Sequence, residues 1–363
     1  MSALPEGNAI VYCDGGFGTP NGKTAHGLVR FTRRYRVMSV ISARHAGADA
    51  GEVLDGRSNG IPLVANLAHA ISRAEADAAP ATHLVIGLAP DGGRLPPEAR
   101  RVVADAIRAG LHVDSGLHDF LSEDDEFAAL ARANGVRLRD VRKPPPRDQL
   151  HFFSGKIEQV TAQRIAVLGT DSAIGKRTTA VKLVEAFEQA GMPAELVGTG
   201  QTSWMQGVRY GLILDSLIND FVAGEIEHAV WSAWEEADPR VIVLEGQGSL
   251  MNPAYPGGFE LLAAGRPHAV VLQHAPARKE YDGFPGYPLH ALGQQIQAIE
   301  IVSGRPVVAI TINHENMKPE QTRAACQSIA HQTGLETFDV LLDGALVLAQ
   351  SLARMLAISD EKR

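Results

Sequence analysis

The sequence has little cysteine: two residues, Cys13 and Cys326, near opposite ends of the chain. They form no metal-binding spacing, and so few thiols point to a reduced, cytoplasmic setting. It also lacks an excess of positive charge. Lys and Arg total 34 against 42 Asp and Glu, a formal charge of −8. No basic field is available to attract nucleic acid, and an anionic ligand needs a site that concentrates positive charge locally. No apolar run reaches the roughly 18 residues a spanning helix requires, so no membrane role is expected. The first residues, Met-Ser-Ala-Leu-Pro-Glu-Gly, lack a basic region followed by an apolar stretch, and no signal peptide is predicted.

What is present is ordinary for a globular protein with a sizeable core: 45% hydrophobic and 21% charged residues. A chain of 363 residues is long for one domain and suggests two. Short apolar runs at 9–13, 37–42, 83–88, 111–114 and 136–141 read as buried strands. Between them, 67–78, 98–109 and 124–134 carry apolar residues at helical spacing. Strand–helix alternation predicts a parallel sheet covered on both faces. Lys143-Pro144-Pro145-Pro146-Arg147 continues neither a helix nor a central strand. It marks a boundary between domains at 1–145 and 146–363, followed by an extended segment over 151–158. The second half repeats the alternation, with strands at 164–168, 194–198, 241–244, 269–273 and 307–312. A last strand at 338–342 and a closing helix at 344–358 complete the α/β reading.

The strand at 164–168 runs into Gly169-Thr170-Asp171-Ser172-Ala173-Ile174-Gly175-Lys176-Arg177-Thr178-Thr179. Glycines let the backbone bend tightly around an anion, successive N–H groups and a helix N-terminus point at it, and Lys176 adds a point charge. This is the strand, glycine-bounded loop, lysine and helix order of a phosphate-binding loop (P-loop). Two departures matter. Gly169 to Gly175 is one residue longer than the common spacing, and Arg177 stands where Ser or Thr normally binds Mg²⁺. Phosphate binding is expected; hydrolysis of a nucleoside triphosphate is not.

Other strand ends collect polar groups at the edge where open α/β sheets bind ligands. Val241-Ile-Val-Leu delivers Glu245, followed by Gly246 and Gly248. Such a carboxylate can accept a proton, or hold a metal together with Asp171. Gly198-Thr-Gly leads to Gln201 and Thr202, two uncharged hydrogen-bonding groups. The long polar loop 274–288 contains His274, Arg278, Lys279, Tyr281 and Asp282, and its cations suit a substrate carboxylate. Asn313 and His314 follow the strand at 307–312; the first suits a purine edge and the second a proton acceptor. Asp14-Gly-Gly-Phe-Gly18 lacks dinucleotide spacing and reads as a tight turn.

These segments resemble a known family. The GTD-x-x-x-GK loop and the strand ending in E-G-x-G resemble dethiobiotin synthetase and its relatives. A closer resemblance spans nearly the whole chain. GTDSAIGKRTT, GTGQT, VLEGQGSLMNPAY and HAPARKEYDGFPGYP resemble the DgcN family, a former domain of unknown function that includes a D-glutamate N-acetyltransferase. In the first half the matching stretches are 23–29, 45–56 and 60–62, and the resemblance implies a Rossmann-like fold there. It further implies transfer of acetyl from acetyl-CoA, as cosubstrate, to the amino group of an acidic amino acid, with D-glutamate the first candidate. The P-loop residues 169–179 and Asn313 then hold the coenzyme, and no metal is required. Glu245 or His274 takes the proton, and Lys176 steadies the oxyanion. Gln201, Thr202, Arg278, Lys279, Tyr281 and Asp282 surround the acceptor. The alternatives are an ATP- and Mg²⁺-dependent kinase or ligase, and a ligand-sensing module without catalysis. The expected partners are small molecules and further copies of the chain, with neither nucleic acid nor membrane.

Overall fold

The computed structural model describes residues 5–358, and the chain divides into two compact units. The first runs to Pro144 and also takes in Gln201–Val208. Its six strands are β1 (Gly7–Tyr12), β2 (Tyr35–Ile41), β3 (Leu63–Val64), β4 (His83–Ile86), β5 (His112–Ser115) and β6 (Leu138–Asp140). They lie in the order β3-β2-β1-β4-β5-β6, every pair parallel. Ala9, Ile10 and Val11 of β1 are fully buried, as are Leu84, Val85 and Ile86 of β4, because a sheet covered by helices on both faces needs apolar side chains on both. The strand order reverses beside β1, the doubly wound arrangement.

The helices between these strands start on residues that satisfy orphan amides. Asn66 accepts from His69 N at the start of Leu67–Ala76, and Asp124 from Phe127 N before Asp125–Asn134. Asp49 does more. Its carboxylate accepts from Gly51 N, Glu52 N, Asn59 N, Gly60 N and Ser58 Oγ, closing 49–60 into a loop. Desolvation alone would raise its pKa, but these donors outweigh it and hold the carboxyl at about 2.

The second unit comprises Pro145–Gly200 and the chain from Arg209 onward. Its strands are β7 (Gln163–Gly169), β8 (Ala194–Gly198), β9 (Tyr210–Gly211), β10 (Val241–Glu245), β11 (Ala269–His274), β12 (Val307–Ile312) and β13 (Glu336–Phe338). The order is β13-β12-β11-β7-β10-β8-β9, again wholly parallel. β7 lies at the centre, between β10 and β11. Parallel register brings the carboxyl ends of β7, β10, β11 and β12 to one edge. That edge carries the P-loop, Glu245, His274 and Asn313.

Several expectations change. Residues 201–208 join the first unit instead of continuing the second. The last strand is 336–338, not 338–342, because Asp339 Oδ1 accepts from the amides of Leu341 and Leu342 and folds that stretch into a turn. In the segment 151–158, the part from Lys156 forms a helical turn, Lys156–Gln159, anchored by Glu227 accepting from Ser154 and Ile157. The two-residue strands β3 and β9 were not foreseen, being too short to show a period. Among the described residues no helix is long and apolar enough to cross a membrane.

Candidate functional site

The P-loop is held from below by its neighbours in the sheet. Thr170 N donates to Gln273 O on β11 at 3.0 Å, and the Thr170 hydroxyl pairs with His274 Nδ1 at 3.0 Å. Ala173 takes φ +52° and Gly175 φ +96°, two left-handed positions on either side of Ile174, whose φ is not positive. Left-handed residues interleaved in this way are the backbone form of an anion nest, in which successive amides can gather around an anion. Gly175 also caps the helix Lys176–Gln189, whose N-terminus adds a partial positive charge. The stem of Lys176 passes over Gly169, where a Cβ would stand 2.8 Å from its Cδ, so a side chain at 169 would displace the lysine stem. The ammonium donates to Asp171 O at 2.7 Å, curling back across the loop. Ser172, Arg177 and Thr178 are half-buried, and Ala173 is exposed.

Asp171 is fully buried and its carboxylate is fully engaged. Oδ1 accepts from Ser172 N at 2.7 Å and Asn252 Nδ2 at 2.9 Å. Oδ2 accepts from Arg278 Nη1 at 2.7 Å and Asp282 N at 2.9 Å. Arg278 also donates to Ser172 O at 2.7 Å and forms a two-point pair with Glu315. Asn313 Nδ2 donates to Ile174 O at 3.1 Å, while its Oδ1 accepts from Glu315 N. Four loops, following β7, β10, β11 and β12, thus close on one carboxylate and one guanidinium. Burial alone would weaken the charge on Arg278, but Glu315 and Asp171 raise its pKa above the usual value.

Glu245 ends β10 almost fully buried. Its Oε2 accepts from Thr199 N at 3.2 Å, and its main-chain oxygen accepts from the Thr199 hydroxyl at 2.8 Å. Gly246 follows because a Cβ there would stand 2.6 Å from Val167 O. At the other side of the edge, His314 Nδ1 lies 2.5 Å from Oδ2 of buried Asp339, an acid–imidazole pair that fixes the ring's orientation.

A model described as the P-loop domain of DUF1611, a domain of unknown function, matches residues 151–349. A second, described as the Rossmann-like domain DUF1611_N, matches 43–144. The chain belongs to the DUF1611 family. A solved DUF1611 protein from Anabaena variabilis superposes with a TM-score of 0.87 at 28% identity, over 96% of this chain and all of that one. Two similar relatives carry the name D-glutamate N-acetyltransferase. One, from Tritonibacter scottomollicae, is 32% identical over 77% of this chain and 83% of its own length. The other, from a Pseudoalteromonas species, is 29% identical over 72% and 78%.

In this DUF1611 chain several residues expected to meet ligand are spent on structure. Asp171 has no lone pair left for a metal shared with Glu245, since four donors already fill it. Arg278 uses four of its five N–H donors on the loops and is a clasp, not a free carboxylate receptor. Tyr281 is buried, with its hydroxyl 2.7 Å from His290 Nδ1; burial raises its pKa. Asp282 contributes its amide to Asp171. The Thr179 hydroxyl lies inside, 2.5 Å from Gln273 Oε1, which Thr311 also meets at 2.5 Å. Asn313 braces Ile174, whose side chain is in the core. Gln201 and Thr202 are buried in the helix Gln201–Met205 of the first unit, where Thr202 pairs with the Thr24 hydroxyl at 3.1 Å. Gln201 packs against Gly116. Burial, and then the charge of Lys279, lower the His274 pKa to about 4. It is therefore a neutral hydrogen-bonding group near neutrality, paired with the Thr170 hydroxyl. Lys279 remains exposed.

Sequence reasoning missed Asn252, Gln273, Thr311, Glu315 and Asp339. Only Asn252 carried a usable signal: it precedes Pro253, and its Oδ1 accepts from Ala254 N and Tyr255 N in a turn.

Proposed function

We propose that this chain is an N-acetyltransferase that moves acetyl from acetyl-CoA to the amino group of an acidic amino acid, D-glutamate first among them. The observation that carries the reading is the anion nest at Ala173–Gly175 with Lys176 beside it, on a chain similar to two proteins named for that reaction. A coenzyme with a pyrophosphate suits the nest. The amine nitrogen bonds to the acyl carbon, the carbon–sulfur bond breaks, CoA leaves as the thiol and the ammonium proton passes to a base. Glu245 is the proposed acceptor of that proton, buried at the same edge of the sheet. Lys279 is the exposed cation of the 274–288 loop that suits a substrate carboxylate. Because Arg177 displaces the usual Mg²⁺-binding hydroxyl, the transfer is proposed to need no divalent metal. A cytoplasmic setting and a homo-oligomer belong to the same reading.

The test is release of free CoA from acetyl-CoA, with and without D-glutamate, L-glutamate and D-aspartate, in EDTA. Amine-dependent release in EDTA is expected. Background release with every acidic amino acid, alongside consumption of ATP and Mg²⁺ with a carboxylate or amine, replaces the transferase by the kinase or ligase.

A further inference from the structure

Two loops lean on Asp171 from different strands, and both carry aromatic rings to the surface. Asn252, which donates to Oδ1, lies three residues before Tyr255. Asp282, which donates its amide to Oδ2, lies two residues before Phe284. Three residues of chain reach at most about 10 Å, so Tyr255 and Phe284 branch from the chain within that reach of residues bonded to Asp171. Tyr255 and Phe284 meet at 6.3 Å and 65°, and Phe284 and Tyr287 at 6.3 Å and 82°.

Both loop tips are built rather than draped. Ser249 N donates to Tyr255 O and Gly257 N to Ser249 O; Gly248, at φ +53°, leaves no room for a Cβ beside Tyr255 O. In the second loop, Tyr281 N donates to Tyr287 O, Phe284 N to Tyr281 O and Tyr287 N to Phe284 O. The scaffold holds Tyr255 and Tyr287 with 53% and 56% of their surface in water.

We propose that Tyr255, Phe284 and Tyr287 form the wall that receives the arm of the ligand beyond its phosphates: an apolar chain interrupted by amides, as in the pantetheine part of an acyl-CoA. This rests on the reading of the P-loop as a coenzyme site. Tyr255 and Tyr287 each meet the Phe284 ring edge-on, at 65° and 82°, and the three make a corrugated apolar surface on which a chain can lie. The tyrosine hydroxyls can pair with the chain's amides.

Calorimetry on the full chain separates the parts of the ligand. The probes are pyrophosphate, ADP, 4′-phosphopantetheine and acetyl-CoA, against the natural protein, Tyr255→Ala, Tyr287→Ala and Tyr287→Phe. Each alanine variant is expected to weaken 4′-phosphopantetheine and acetyl-CoA roughly tenfold, about 1.4 kcal/mol, with pyrophosphate and ADP unchanged. Tyr287→Phe should retain most of the affinity. Both tyrosines are more than half exposed, so the fold should survive; thermal melting checks that. Unchanged acetyl-CoA affinity in both alanine variants overturns the wall while leaving the coenzyme reading intact. Loss of ADP binding alone assigns the rings to a base and also overturns it. A shift in oligomeric state with ligand affinities unchanged makes the rings a contact between copies. If the natural protein binds ADP but not acetyl-CoA, the coenzyme reading falls, and the wall with it.

Discussion

Arg278 Nη1 stands 2.7 Å from Asp171 Oδ2, and the pair couples the P-loop to the long loop after β11. The same guanidinium grips Glu315 in the loop after β12, so three loops share one planar cation. A planar fork with five fixed donors can serve Asp171, Ser172 O and Glu315 together; a single ammonium cannot.

Arg278→Ala should therefore act on stability as well as on the reaction. Removing one partner of a buried ion pair costs about 3–5 kcal/mol. For a unit of this size that lowers Tm by roughly 6–20 °C. Arg278→Lys should recover little of the loss, and pyrophosphate affinity should fall in both variants as the nest loosens. Melting curves and calorimetry check this. A variant with unchanged Tm and only a raised KM for the amino acid would return Arg278 to the substrate.

The role of Arg278 also shows where sequence reasoning ends. The P-loop was legible because its order of strand, glycine, lysine and helix is local, and the strands of the second sheet because buried parallel strands are long apolar runs. Glu245 was legible as the acid at the end of such a run. The partners of Asp171 were not: Asn252, Arg278 and Glu315 lie far away in sequence and meet only because β10, β11 and β12 end at one edge. An arginine in a Gly- and Pro-rich loop looks the same whether it faces a substrate or a buried carboxylate. Gln201 and Thr202 show the same limit, since the strand end before them was visible but the unit their helix joins was not.

Lys176→Ala should weaken pyrophosphate and ADP by about 1.5–3 kcal/mol, the worth of a charge-assisted hydrogen bond. The wild-type affinity should fall with added salt, and the variant should show a shallower salt dependence. Equal affinities by calorimetry would remove the lysine from the site.

His274 predicts a pH effect. Its pKa falls from the ordinary 6.5 to about 4 on folding, through burial and then Lys279. Above 6.5 it is neutral in both states and the fold bears no penalty. As pH falls from 6.5 towards 4 the unfolded chain binds the proton first, so stability drops, by as much as about 3 kcal/mol once both forms are protonated. His268 has a pKa of about 4 as well and contributes in the same direction. The informative measurement is thus the difference between the natural chain and His274→Asn. Tm should fall more steeply from pH 6.5 to 4.5 in the natural chain; parallel curves would contradict a buried neutral imidazole.

Glu245→Gln tests the proposed chemistry most directly. Glutamine preserves shape and an oxygen to accept from Thr199 N, so β10 and the loop around Gly246 should hold. What it loses is the ability to take a proton. If Glu245 receives the ammonium proton, turnover should fall about 100-fold or more. The dissociation constant for acetyl-CoA should stay within about twofold, since the P-loop is untouched. The split between turnover and binding distinguishes a base from a structural acid, whose loss would lower Tm and affinity together. Free CoA release gives the first quantity and calorimetry the second. Full turnover in Glu245→Gln would exclude it as the base and move attention to His314, whose Nδ1 is already fixed by Asp339 and whose Asn variant then becomes the decisive one.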